Sequence, residues 1–199
     1  MNLIEKLKRN KVFPIIRSSD PDDVINKVKA LLDGGLDVME VNVENPNIYG
    51  AIKKISSDAI ICAGGIITSI QAQAAIDSGA RIISSPIFQT NLLKISKDKQ
   101  LPFIAGTSTA NEAYNAWKSR IPAVKIYPIT AMGGVEYIKN LLRPMPFLNV
   151  IPQGNVQLSE IKAYIDAGAV AVGVGRHLIG ADSYEDITKN TKKLLEQLN

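Results

Sequence analysis

At 199 residues, with 46% hydrophobic and 21% charged side chains, the chain can bury one full core and is too evenly composed for a disordered or fibrous protein. No stretch approaches the roughly 20 apolar residues of a membrane span, the first ten residues lack a signal peptide's apolar run, and Cys62 is the only cysteine; a reducing, cytoplasmic setting without membrane contact is expected. The net charge of +4 comes from lysines mixed with acids, as in residues 189–196, with no basic stripe interleaved with aromatics; this argues against a nucleic-acid partner and leaves a mild attraction for anionic metabolites.

In chain order, a short amphipathic helix is predicted over residues 1–10, then a strand at Val12–Ile16 and a helix at Pro21–Leu32, with Asp20 as N-cap and Gly34-Gly35 as the stop. Strands follow at Asp37–Val43 and Ala59–Ala63, a helix at Ser69–Ser78, and strands at Arg81–Ser84, Pro102–Ala105, Ala123–Tyr127 and Phe147–Ile151. A helix at Leu158–Ala167 and a strand at Val170–Val174 complete the pattern. Strand centres recur at about 20–25 residues, the spacing of tight βα units. Eight such units without a linker or low-complexity insert predict a single compact (β/α)₈ barrel domain over residues 1–199. A doubly wound open sheet is the alternative. It would carry a Gly-rich fingerprint after the first strand, where Ile16-Arg17-Ser18-Ser19-Asp20 stands instead.

The phrases Asp77-Ser78-Gly79-Ala80 and Asp166-Ala167-Gly168-Ala169 each end a helix just before a strand, so they belong to the barrel's N-terminal face and to stability. Chemistry is sought at the opposite strand ends. There, Lys125 interrupts the otherwise apolar strand Ala123-Val124-Lys125-Ile126-Tyr127. A strand lysine facing water is the plain reading in an antiparallel sheet, but a closed parallel barrel has no watered strand face. Burial disfavours the ammonium, and a free amine can attack a ketone to form a Schiff base. Alternation puts Tyr127 on the side of Lys125, and Glu40, Asn42 and Glu44 on one side of their strand. Glu40 would either move protons for the lysine or merely balance its charge. After the seventh and eighth strands, Gln153-Gly154-Asn155 and Gly173-Val174-Gly175-Arg176 fit a glycine-rich anion site, although such glycines also make tight turns. His177 is the only histidine and reads as a packing or capping residue. No cluster has metal-site spacing, and no metal or other cofactor is expected.

Together these segments resemble the 2-keto-3-deoxy-6-phosphogluconate aldolase / 4-hydroxy-2-oxoglutarate aldolase family, class I aldolases on a (β/α)₈ barrel. The resemblance runs through nearly the whole chain. It is carried by Gly35-Leu36-Asp37-Val38-Met39-Glu40-Val41, by Ser85-Pro86, and by Gly106-Thr107-Ser108-Thr109 with Glu112. Its most specific piece is Lys125-Ile126-Tyr127-Pro128 followed by Ala131-Met132-Gly133-Gly134. The resemblance implies that Lys125 is the Schiff-base nucleophile, Glu40 the general acid/base, the substrate a phosphorylated 2-keto acid, and the assembly a homotrimer. Tyr127 and Pro86 would line the pyruvoyl pocket, with Gly154, Asn155, Gly175 and Arg176 at the far anionic end; Arg17, Glu44, Gly64 and Gly65 complete the expected substrate-binding set. Several positions depart from the family pattern. Glu44 stands where an arginine would meet the pyruvoyl carboxylate, and Gly64-Gly65 stands where a threonine would help; Gln153 and Arg176 alter the phosphate loops. Two like charges about 4 Å apart repel by roughly 4 kcal/mol at an effective dielectric near 20. Glu44 is therefore expected either to turn toward Arg17 or Arg176, or to serve a different substrate. A diverged phosphosugar-binding barrel with little aldolase activity is the alternative function; an isomerase or synthase would need acid/base or metal-binding groups not found here.

Overall fold

Each predicted strand is present and almost wholly buried, because helices cover one side and the other faces the barrel interior. The computed structural model describes residues 2–180 and 183–198. Its first two units run α1 (Leu3–Asn10), β1 (Val12–Ile16), α2 (Pro21–Asp33), β2 (Val38–Asn42) and α3 (Ile48–Ile55). Next come β3 (Ile60–Gly64), α4 (Ser69–Asp77), β4 (Ile82–Ser85), α5 (Thr90–Asp98), β5 (Phe103–Thr107) and α6 (Ala110–Lys118). The chain continues through β6 (Ala123–Ile126), α7 (Gly134–Leu142), β7 (Val150–Pro152), α8 (Ile161–Asp166), β8 (Val172–Val174), α9 (Arg176–Ile179) and α10 (Tyr184–Leu198). All strands are parallel, in the order β7-β6-β5-β4-β3-β2-β1-β8. The ring closes where Gln153 bridges Gly173 and the Val170 amide donates to the Val150 carbonyl at 3.0 Å. This is a (β/α)₈ barrel, and the open-sheet alternative is excluded.

Boundary differences have local causes. β7 starts at Val150 and not at Phe147, because residues around Pro144 and Pro146 form turns and Phe147 leaves to pack on Trp117, 4.3 Å between ring centroids. β5 extends to Thr107, whose hydroxyl donates to the Lys125 carbonyl at 3.0 Å. Leu158–Ala167 divides into a short 3₁₀ turn and α8. The expected helix over residues 1–10 is Leu3–Asn10, capped by Asn2; Met1 lies outside the described residues.

Two apolar clusters follow from strand alternation. The outward residues of the strands pack under the helices, as Val41, Val124 and Ile126 do. The inward ones, among them Phe13, Val38, Cys62, Ile82, Ile104, Ala123 and Ile151, fill the lower barrel, and Leu3 and Leu7 of α1 plug its floor. Burying each such leucine contributes about 1.5–3 kcal/mol. Asp37, just before β2, fixes this plug: it accepts from Lys6 at 2.6 Å, Arg9 at 3.1 Å and Asn10 at 3.2 Å. Partial burial pushes the Asp37 carboxyl up, but these donors outweigh it and hold it below its ordinary value.

A carboxyl lowered in the folded state stabilises above its unfolded value, and that contribution disappears as pH falls through the folded one. Asp37→Asn should therefore lower stability by about 0.5–1 kcal/mol at neutral pH, the scale of a partly exposed ion pair. In thermal melts the gap from wild type should be constant near pH 7 and close below the ordinary carboxyl value of 3.8. A gap that persists in acid would show that Asp37 acts by packing alone.

Candidate active site

Above the apolar floor the barrel interior turns polar. Ala123 points inward, so Lys125, two residues on, does too. Its ammonium pairs with the Glu40 carboxylate from β2, and the two residues are 5% and 1% exposed, which removes the solvent-facing reading of the lysine. The Phe13 ring lies beneath, its centroid 5.7 Å from Lys125 Nζ. A buried pair of this kind must satisfy its remaining polar atoms or forfeit what the attraction gains.

Three neighbours hold Glu40. Cys62, alongside it on β3, directs its thiol at Glu40 Oε2 across 3.6 Å. Burial and the neighbouring carboxylate push that thiol well above its ordinary value, with Lys125 opposing, so it stays protonated and donates. Asn42, with its amide set to satisfy both neighbours, donates to Glu40 Oε1 at 3.2 Å and turns its oxygen to the Arg17 guanidinium, 2.6 Å from Nη1. The third neighbour is an absence of side chain. A Cβ on Gly64 would stand 2.3 Å from the Asn42 amide and 2.5 Å from the Glu40 carboxyl carbon. Only glycine leaves both residues where they are.

The β5 and β6 ends are tied together around the lysine. Ser108 donates to the Tyr127 carbonyl at 2.7 Å, and the Tyr137 hydroxyl donates to the Ser108 carbonyl at 2.8 Å. Glu112 accepts from the Ser108 and Thr109 amides at 2.8 and 2.7 Å; these bonds lower its carboxyl and make it a cap of α6. Gly106 lets the chain after β4 pass over: a Cβ there would lie 2.1 Å from the Pro86 carbonyl oxygen.

A cavity of about 530 Å³ opens beside this centre over the ends of β1, β6, β7 and β8. Of the residues expected to bind substrate, it is lined by Arg17, Tyr127, Gly154, Asn155, Gly175 and Arg176. Glu44, Gly64, Gly65 and Pro86 are not on its wall. Glu44 turns to Arg17, 3.5 Å from Nη1, so its charge faces a cation. Arg176 donates to Asn155 Oδ1 at 2.6 Å, and His177 Nε2 lies 3.1 Å from the same oxygen. Gln153 lines the cavity with its side-chain oxygen buried and without a partner. Lys27 also lines it, paired with Asp23 at 2.7 Å. Among the described residues no group of three or more His, Cys, Asp or Glu side chains could hold a metal ion.

Cys62, Lys27 and the linking role of Asn42 are not foreseen from sequence. Strand alternation could have found Asn42, which shares a side with Glu40; the pairing of Cys62 with Glu40 needs the strand register.

Residues 3–193 match the family model for KDPG and KHG aldolase. A 2-dehydro-3-deoxy-phosphogluconate aldolase of Haemophilus influenzae is 29% identical over 98% of this chain and 95% of its own. A KHG/KDPG aldolase of Escherichia coli is 27% identical over 93% and 91%. A solved structure described as native KDPGal superimposes with a TM-score of 0.85 at 27% identity, over 93% of this chain and 92% of that one.

Gly64→Ala should destabilise by about 1–3 kcal/mol, as overpacking in a filled interior does. Urea unfolding reads this directly. An unchanged midpoint would mean that Glu40 and Asn42 can move aside freely.

Proposed function

The chain belongs to the KDPG and KHG aldolase family, and we propose that it cleaves a 2-keto-3-deoxy-6-phospho sugar acid or 4-hydroxy-2-oxoglutarate to pyruvate and an aldehyde through a Schiff base on Lys125. As a family member it is an aldehyde-lyase. The observation that carries the finer reading is the buried contact between Lys125 and Glu40, opening beside an Arg-lined cavity.

In this reading Glu40 takes a proton from the Lys125 ammonium, and the free amine adds to the C2 ketone. The carbinolamine oxygen is protonated and leaves as water, giving the iminium. A base then removes the C4 hydroxyl proton; the electrons of the C3–C4 bond flow into the iminium, and the aldehyde departs. The resulting enamine takes a proton at C3, and water hydrolyses the imine, releasing pyruvate and restoring the amine. Glu40 is the group placed to move these protons, since its Oε2 already touches the nitrogen that reacts. Asn42, Cys62 and Gly64 would keep it aimed.

The aldehyde portion would extend into the cavity, where Arg176 and Lys27 supply positive charge and Gly154 and Gly175 allow close approach to a terminal anion. Tyr127, half exposed at the rim, would flank the bound chain. A cytoplasmic homotrimer belongs to the same proposal and rests on the family resemblance. The pairing of Glu44 with Arg17 favours a second reading, a barrel that binds phosphosugars with little turnover, because it partly neutralises one cation at the mouth.

Pyruvate with borohydride decides between the two. The wild type should gain one reduced pyruvoyl mass and Lys125→Ala none; labelling at another lysine, or no labelling with any 2-keto acid, would sink the Schiff-base reading. Glu40→Gln should keep the fold and some imine formation but lose turnover by roughly 10²–10⁴-fold. Turnover close to wild type would make Glu40 a structural partner only.

A further inference from the structure

The wall of the active-site cavity carries one group that the protein itself leaves unmet. Gln153, at the end of β7, is 9% exposed and lines the cavity. Its Oε1 is the one buried side-chain nitrogen or oxygen without a hydrogen-bond partner among the described residues. Native interiors carry few such atoms, and an orphaned acceptor costs stability. This one is built in. The Gln153 amide donates to the Ile126 carbonyl at 3.0 Å, and its carbonyl accepts from the Ile129 amide at 2.9 Å. The side-chain stem lies against Gly173, where a Cβ would stand 3.0 Å from Gln153 Cβ and 3.2 Å from Cγ.

Strand register sets the carboxamide relative to the reacting centre. Lys125 pairs with Ile151, which points inward, so Gln153, two residues on, points inward one step nearer the mouth. Gly154 and Asn155 follow it at the distal end of the same cavity. Gln153 thus stands between the imine-forming nitrogen and the place a terminal anion would take, level with the middle of a bound chain. Two cations of the wall have other acceptors: Arg17 has Asn42 and Glu44, and Arg176 has Asn155. The missing donor must come with the ligand. A carboxylate offers only acceptors, whereas a hydroxyl donates. The amide's terminal torsion is broad and roughly two-fold, so a half-turn brings the oxygen to the cavity at little cost.

Resting on the Schiff-base reading, we propose that Gln153 is a specificity-determining residue that accepts a hydrogen bond from the substrate's C5 hydroxyl, so that the substrate is a sugar acid and not 4-hydroxy-2-oxoglutarate. Both compounds carry a C4 hydroxyl, but that group surrenders its proton when the C3–C4 bond breaks, and a bond held by the amide oxygen would oppose the step. The C5 hydroxyl keeps its proton from binding to release. In 4-hydroxy-2-oxoglutarate C5 is a carboxylate, which leaves Oε1 unmet and sets acceptor against acceptor.

The test is aldol addition of pyruvate by the full chain to three aldehydes, with borohydride labelling by pyruvate measured alongside. Glyceraldehyde 3-phosphate carries the future C5 hydroxyl, 3-phosphooxypropanal lacks it, and glyoxylate has a carboxylate in its place. In the wild type kcat/KM should favour the hydroxylated aldehyde over its deoxy analogue by about 10–100-fold, the range for a hydrogen bond whose loss strands a buried partner. Gln153→Met should erase most of that preference and improve glyoxylate relative to glyceraldehyde 3-phosphate. Its urea midpoint should be equal or higher, since an apolar side chain of similar size removes the orphan. Gln153→Glu keeps acceptor oxygens and should retain the preference for the hydroxyl while slowing both phosphorylated aldehydes. An unchanged preference in Gln153→Met, or an equal loss with all three aldehydes, would overturn the proposal. A lower midpoint in Gln153→Met would show that the oxygen already has a partner, and a wild-type preference for glyoxylate would contradict the substrate assignment; either overturns it. Labelling of the wild type without any preference for the hydroxyl would overturn this inference alone, and no labelling would overturn the Schiff-base reading with it.

Discussion

A lysine and a glutamate share the inside of a barrel whose lower half is entirely apolar, and the upper half is arranged around that contact. Breaking a buried pair by removing one partner costs about 3–5 kcal/mol, because the other charge is left without compensation. The chain meets this demand with neighbours that have no spare freedom. Cys62 and Asn42 each address one oxygen of Glu40, and Gly64 vacates the volume they need. The rest of the fold keeps this group dry and fixed. Leu3 and Leu7 close the floor, Phe13 lies beneath the ammonium, and the β5–β6 ends are stitched by Thr107 and Ser108.

The two ends of the barrel divide the work. At the N-terminal face, Asp37 gathers Lys6, Arg9 and Asn10 into a cluster that ties α1 to the start of β2. At the C-terminal face, polar groups are left partly unpaired or weakly paired: the Gln153 oxygen lacks a donor, and the contact between Arg17 and Glu44 is 3.5 Å long. Unmet hydrogen-bonding capacity is costly in a buried site unless a ligand meets it. That asymmetry sets a stabilising face against the one where substrate is proposed to bind.

Much of this was legible in the sequence. Strand spacing and the absence of polar alternation in Ala123–Tyr127 required a barrel with Lys125 inside, and alternation along β2 placed Glu40 and Asn42 on one side. What could not be read depended on register between distant strands. Glu40 opposes Cys62 only because β2 and β3 pair as they do, and Arg17 meets Glu44 across 27 positions of sequence. The repulsion expected from Glu44 is absent because a cation from β1 faces it, which β2 alone gives no means to see. Strand ends differ from expectation where side chains, not backbone propensity, set them: Phe147 follows Trp117 outward, and Thr107 follows Lys125 into the sheet.

Whether the contact between Lys125 and Glu40 is the reacting centre is tested most directly by a crystal structure after a pyruvate soak. Electron density should run unbroken from Lys125 Nζ to the former ketone carbon, with Glu40 still in hydrogen-bond reach. Pyruvate bound elsewhere, or continuous density at any other lysine, would contradict it.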